Sequence, residues 1–188
     1  MTIKMKVRMT AILCAVLLAM LLPGGARAES DLFEGMTVYD EGQYRVGSDM
    51  TPDEYVLLAT DEYDGYFCIS TDANKRDIVA NDLFEVNSIV TVERGEYLEL
   101  DRCVAIRAAD FYTRYTIRSD RAGVMLKVGY DIEPGEYKLI CTTDDYGYYC
   151  VYEDSRHQDI TANDLFERSA WVSVKRGQYL ILSRCVVQ

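Results

Sequence analysis

Residues 44–106 align without a gap on residues 126–188, at a constant offset of 82 positions, and 30 of the 63 aligned pairs are identical. Ala80-Asn81-Asp82-Leu83-Phe84-Glu85 returns verbatim as Ala162-Asn163-Asp164-Leu165-Phe166-Glu167, and Arg102-Cys103-Val104 returns as Arg184-Cys185-Val186. The chain is therefore a tandem duplication, and two copies are too few for a solenoid, which needs about three stacked units. Whatever the fold, it must be buildable twice from a short unit. A unit of about 63 residues buries only about 60% of its unfolded surface and is marginal alone. The copies must share an interface, or covalent links must help each one.

Each copy reads as antiparallel β-structure. Tyrosine is abundant, 15 residues against five Phe, which favours strands over helices. Tyr137-Lys138-Leu139-Ile140-Cys141 and Tyr148-Tyr149-Cys150-Val151-Tyr152 flank a Thr/Asp/Gly cluster, a hairpin signature. Val172 and Val174 alternate with polar residues before Arg176-Gly177 and Tyr179-Leu180-Ile181-Leu182, which reads as a second hairpin. No mature segment carries a 3.6-residue apolar stripe over three turns. The expected fold class is all-β, two tandem homologous antiparallel β-sandwich or jelly-roll-like modules, with six to eight short strands per copy. The first module spans 29–106 with its repeat core at 44–106, and the second spans 126–188. A connector, 107–125, joins them. Phe111, Thr113, Tyr115 and Ile117 alternate in it with Tyr112, Arg114, Thr116 and Arg118, a strand-like pattern.

Residues 1–28 read as a secretory signal peptide. Lys4, Lys6 and Arg8 precede an apolar stretch from Met9 to Leu22, followed by the small-residue site Ala26-Arg27-Ala28. The stretch is shorter than the roughly 20 residues a membrane span needs, so no membrane insertion is expected after cleavage. Loss of these residues leaves 31 acidic against 16 basic side chains, a net charge of −15. Such a surface excludes nucleic acid as a partner, because phosphate neutralisation requires a basic face. The expected location is extracellular.

Five cysteines follow the leader. Cys68 and Cys103 recur as Cys150 and Cys185, whereas Cys141 stands where the first copy has Ala59. In an exported protein one bridge per copy is expected, Cys68–Cys103 and Cys150–Cys185, leaving Cys141 as a free thiol. Each bridge would close a loop of about 35 residues, worth about 3–4 kcal/mol. A competing connectivity joins Cys141 to Cys150, and a third reading makes all five small buried hydrophobes. The spacing lacks the Cys-x-x-Cys pairs of zinc sites.

Signals of catalysis are sparse. His157, the single histidine, lies in the polar run Asp154-Ser155-Arg156-His157-Gln158-Asp159 and reads as a solvated loop residue. Six acids recur in both copies (Asp49/Asp131, Glu54/Glu136, Asp72/Asp154, Asp77/Asp159, Asp82/Asp164, Glu85/Glu167), and two carboxylates held in a cleft could hydrolyse a glycoside. No cofactor is expected. Among metals only calcium suits loop oxygens, and Arg76 and Arg156 interrupt the EF-hand spacing. Aromatics supply the candidate binding surface. Tyr63, Tyr66 and Phe67 flank one turn and Tyr146, Tyr148 and Tyr149 the other, placed to stack on sugar rings or to anchor a protein partner.

The phrases Val128-Gly129-Tyr130-Asp131-Ile132-Glu133-Pro134-Gly135-Glu136-Tyr137 and Gly177-Gln178-Tyr179-Leu180 resemble a motif set of uncharacterised exported bacterial proteins, often in tandem. More loosely, the Pro-Gly-Glu-Tyr strand entry is similar to jelly-roll domains appended to secreted peptidases and glycosidases. The first copy departs from it, with Met50 and Asp53 where the second has Ile132 and Gly135. The resemblance implies an extracellular β-module and supplies no catalytic residue. Together these readings favour a secreted, non-catalytic binding or surface-interaction module for a carbohydrate or cell-envelope ligand, glycan or protein. The alternative is an assembly protein joined through sheet edges or a spare thiol. A carboxylate-dependent glycosidase comes third.

Overall fold

The computed structural model describes residues 33–60 and 63–188. The leader expected at 1–28 lies outside the described residues. The first module comprises β1 (Val38–Tyr39), β2 (Gly42–Arg45), β3 (Asp53–Ala59), β4 (Gly65–Ser70), β5 (Ile78–Phe84), β6 (Asn87–Val92), β7 (Tyr97–Asp101) and β8 (Cys103–Arg107). A helical turn, α1 (Ala108–Phe111), follows. The second module comprises β9 (Val124–Lys127), β10 (Gly135–Cys141), β11 (Gly147–Tyr152), β12 (Ile160–Phe166), β13 (Ser169–Val174), β14 (Tyr179–Ser183) and β15 (Cys185–Val187).

In the first module the sheets run β1-β8-β3-β6 and β2-β7-β4-β5, all antiparallel. Strand one pairs with eight, two with seven, three with six and four with five, the wrapping of a jelly roll. The second module repeats it as β15-β10-β13 and β9-β14-β11-β12, with no strand equivalent to β1. Local irregularities repeat too. The register shift at Ile69/Ser70 recurs at Val151/Tyr152, and the left-handed residues Lys75 and Arg102 recur as His157 and Arg184.

Neither expected hairpin forms. β10 and β11 lie in different sheets, and so do β13 and β14. The reason is legible at Glu93-Arg94-Gly95-Glu96, where Glu96 N–H donates to the Glu93 carbonyl (3.1 Å) and only Gly95 has positive φ, +97°. Glycine at the third position alone gives a type II turn, whose twist splays the flanking strands; a two-residue hairpin needs a primed turn. These turns therefore carry the chain from one sheet to the other. The expected connector strand is also corrected. Ala108, Phe111, Tyr112 and Tyr115 follow i, i+3, i+4, i+7 spacing, and Tyr112 and Tyr115 N–H groups donate to the Ala108 and Phe111 carbonyls (2.9 and 3.0 Å). Phe111 and Ile117 are buried, and strand resumes only at Val124.

The cores are asymmetric. Tyr55, Leu57, Val90, Val92 and Ala105 face Phe67, Ile69, Leu98 and Leu100 inside the first sandwich. The alternate residues of the same sheet, Val56, Leu58, Ile89, Val104 and Ile106, belong to one cluster with Phe111, Ile117 and the whole core of the second module. That sheet is buried on both faces, so β3 reads as a continuous apolar run. The equivalent outward face of the second module carries Lys138, Ile140 and Trp171, with Trp171 62% exposed where Ile89 is wholly buried.

The expected disulfides are absent. All five described cysteines are thiols. Phe67 and Ile69 face the core that holds Cys103, so Cys68 between them points to the opposite side of its strand. Cys150 lies likewise between core-facing Tyr149 and Val151, away from Cys185. Strand alternation forbids both bridges.

Candidate functional site

The modules meet along β6 and β9. Asn87 Nδ2 donates to the Met125 carbonyl (2.9 Å) and Asn87 Oδ1 accepts the Met125 N–H (3.1 Å). One amide side chain thus satisfies the backbone at the edge of β9, as a neighbouring strand would. From the second module, the 153–159 loop clasps β6. Ser155 carbonyl accepts the Thr91 N–H (3.2 Å), and Arg156 pairs with Glu96 (2.7 Å).

His157 is not the solvated loop residue its neighbours suggest. Its side chain is 5% exposed, its ring packs edge-on against Phe67 (5.2 Å) and beside Tyr152 (4.9 Å), and burial holds its pKa below the ordinary histidine value. Nε2 lies 3.1 Å from the Ile89 carbonyl and 3.5 Å from Ser88 Oγ, and Nδ1 lies 3.9 Å from Asp82 Oδ2. The order Asp82, His157, Ser88 is that of a hydrolytic triad. However, a carbonyl only accepts, so the Ile89 contact places the proton on Nε2, the nitrogen that would have to take it from Ser88. The arrangement locks the two modules together.

An open cleft of about 570 Å³ lies at the same junction, lined by Asp53, Glu54, Ala108, Ala109, Tyr112, Thr113, Lys127 and Tyr130. Three elements build it: the entry of β3, α1 with its following turn, and the end of β9 with the turn after it. At its wall Glu54 accepts hydrogen bonds from Lys127 Nζ and Tyr179 Oη. Lys127 Nζ also sits 4.7 Å from the Tyr130 ring centre, 5.9 Å from Tyr112 and 5.8 Å from Tyr179, within cation–π range of all three. The Tyr112 and Tyr130 rings meet at a tilt of 45°, with centroids 4.9 Å apart. Tyr130 remains 58% exposed, so one face of a fixed aromatic ring looks into solvent.

Asp131 braces this wall from below. Its carboxylate accepts Tyr112 Oη (2.8 Å), Ile117 N–H (2.6 Å) and Lys127 N–H (2.7 Å). Burial outweighs those three donors and pushes its pKa up to about 6. Burial likewise raises the Tyr112 and Tyr179 hydroxyls, so both stay neutral donors.

The residues that build the cleft are not repeated as a set, although the module exists twice. The residue equivalent to Asp53 is Gly135, and α1 belongs to neither repeat core. Sequence reasoning missed it because its walls come from unlike positions. The expected aromatic surface divides instead. Tyr63 and Tyr146 are exposed in the loops between sheets, at 66% and 48%, and Tyr66 and Tyr148 are half-buried on outer faces. Phe67 and Tyr149 belong to the cores, which the alternation along β4 and β11 requires, so neither serves as a binding surface.

The recurring acids are dispersed among other tasks. Asp72 Oδ atoms accept the N–H groups of Asn74 (2.8 Å), Arg76 (3.0 Å) and Asp77 (3.1 Å), which ties the 72–77 loop to its own backbone. Among the described residues no group of three or more His, Cys, Asp or Glu side chains gathers to hold a metal. No described helix is long and apolar enough to cross a membrane. Neither a model of a known protein family nor a curated protein matches the chain.

Proposed function

We propose that the protein is a secreted, non-catalytic binding protein that takes a neutral carbohydrate segment in the junction cleft. The observation that carries this reading is the exposed Tyr130 ring, held rigid by Tyr112 and Lys127 beside the Asp53 carboxylate and the Thr113 hydroxyl. A fixed aromatic platform with a few convergent polar groups is what an oriented small ligand needs. Vicinal hydroxyls both donate and accept, so they can satisfy an anionic and a cationic wall at once. The acidic surface weighs against anionic polymers. The cell-envelope origin and the exported location rest on the leader-like sequence and on the motif resemblance.

The test is isothermal titration of the purified protein against a panel of neutral bacterial and plant polysaccharides. Tyr130→Ala is expected to weaken binding by about 30-fold, the loss typical of a central anchor, with the melting temperature nearly unchanged. Tyr146→Ala is expected to leave affinity alone. Binding that survives Tyr130→Ala but fails with Tyr146→Ala would move the site to the loop tyrosines.

A further inference from the structure

We propose that Cys141 and Cys185 form a dithiol pair that closes to a disulfide across β10 and β15, a covalent staple confined to the second module. The two residues are direct partners in the register of these strands. Thr142 N–H donates to the Arg184 carbonyl (3.0 Å), and Gln188 N–H donates to the Lys138 carbonyl (2.9 Å). The first bond flanks the cysteines and the second flanks Leu139 and Val187 two residues along; the alternation of the ladder leaves Cys141 and Cys185 a non-hydrogen-bonded pair, for which Cα atoms stand about 4.5 Å apart. A disulfide requires about 4.4–6.8 Å. Side chains directly opposite in an antiparallel pair share one face, so the sulfurs lie on the same side of the sheet.

A second observation places them over one point. A Cβ built on Gly147 would fall 2.9 Å from Cys141 Sγ and 3.1 Å from Cys185 Cβ. Only glycine leaves room beneath the pair. The same register in the first module sets Ala59 against Cys103, so no second sulfur is available there.

Exposure assigns the roles. Cys141 is partly exposed, whereas Cys185 is buried and its thiol is pushed up to about 12. With oxidised glutathione as oxidant, the Cys141 thiolate attacks one sulfur and expels a glutathione thiolate. Cys185, giving up its proton, then attacks Cys141 Sγ in the mixed disulfide and expels the second. The two cysteines lose two electrons and two protons, and the glutathione disulfide is reduced to two thiols.

The experiment incubates the folded full chain with oxidised glutathione, alkylates the remaining thiols and maps peptides without reduction. The expected result is one linked peptide pair containing Cys141 and Cys185, with Cys68, Cys103 and Cys150 alkylated. The oxidised form should melt on the order of 10 °C above the reduced form. Cys141→Ala, which restores the residue of the first module, should abolish both the link and the shift. Linkage of Cys141 to Cys150, bridging of Cys68 to Cys103 or of Cys150 to Cys185, or alkylation of all five would overturn the proposal.

Discussion

Glu54→Ala is expected to destabilise the protein by about 3–5 kcal/mol, read as a lower urea midpoint at unchanged slope. The substitution removes the first-module acceptor of two second-module donors, Lys127 Nζ and Tyr179 Oη. The Lys127 and Glu54 side chains are only 18% and 16% exposed, so the stranded ammonium has little water to turn to. An uncompensated buried charge costs far more than an exposed ion pair gains. Glu136, the repeat-related residue, is exposed, and Glu136→Ala is expected to change stability by about 0.5 kcal/mol at most. Equal effects at the two positions would show that the junction is solvated.

Val56→Lys is expected to cost about 3–5 kcal/mol and to impair folding, although lysine stands at the equivalent position of the same strand in the other copy. Val56 is wholly buried on the face that joins the shared core, and the neighbouring carboxylate on that face of β3, Glu54, is already engaged by Lys127 and Tyr179. Lys138 is only partly buried, on a face less fully covered among the described residues, and the reciprocal Lys138→Val is expected to be nearly neutral, within about 0.5 kcal/mol. One exchange made in both directions thus measures how differently the copies use the same sheet. Circular dichroism melts of the two variants decide it, and similar losses in both would refute the asymmetric core.

Much of this was written in the repeat. The offset of 82 residues located equivalent strands, turns and left-handed positions, and strand composition gave the all-β class. The asymmetry was legible too, because Tyr55-Val56-Leu57-Leu58-Ala59 is continuously apolar where Tyr137-Lys138-Leu139-Ile140-Cys141 is interrupted, the mark of a sheet buried on two faces rather than one. Turn chemistry misled. Arg-Gly between two apolar runs resembles a hairpin unless one asks whether arginine also takes positive φ, and it does not. Around Phe111 a two-residue and a helical period fit the same letters, and only tertiary burial of Phe111 and Ile117 chose between them.

The cleft was the least legible feature. Its polar wall begins at Asp53, its floor at a connector outside the alignment, and its aromatic platform at Tyr130, opposite Ser48 in the first copy. No period or motif spans such a set; only the docking of one copy against the other brings it together. His157 shows the same limit, since its polar neighbours describe the loop, whereas its burial depends on β6 of the other module.

Hydrogen exchange across a urea transition of the intact chain addresses the joint core most directly. Peptides covering β4 and β11, matching strands of the two copies, should lose protection at one common urea concentration. Loss of protection in β11 at a distinct midpoint, with β4 still protected, would mean that the copies fold as separate bodies.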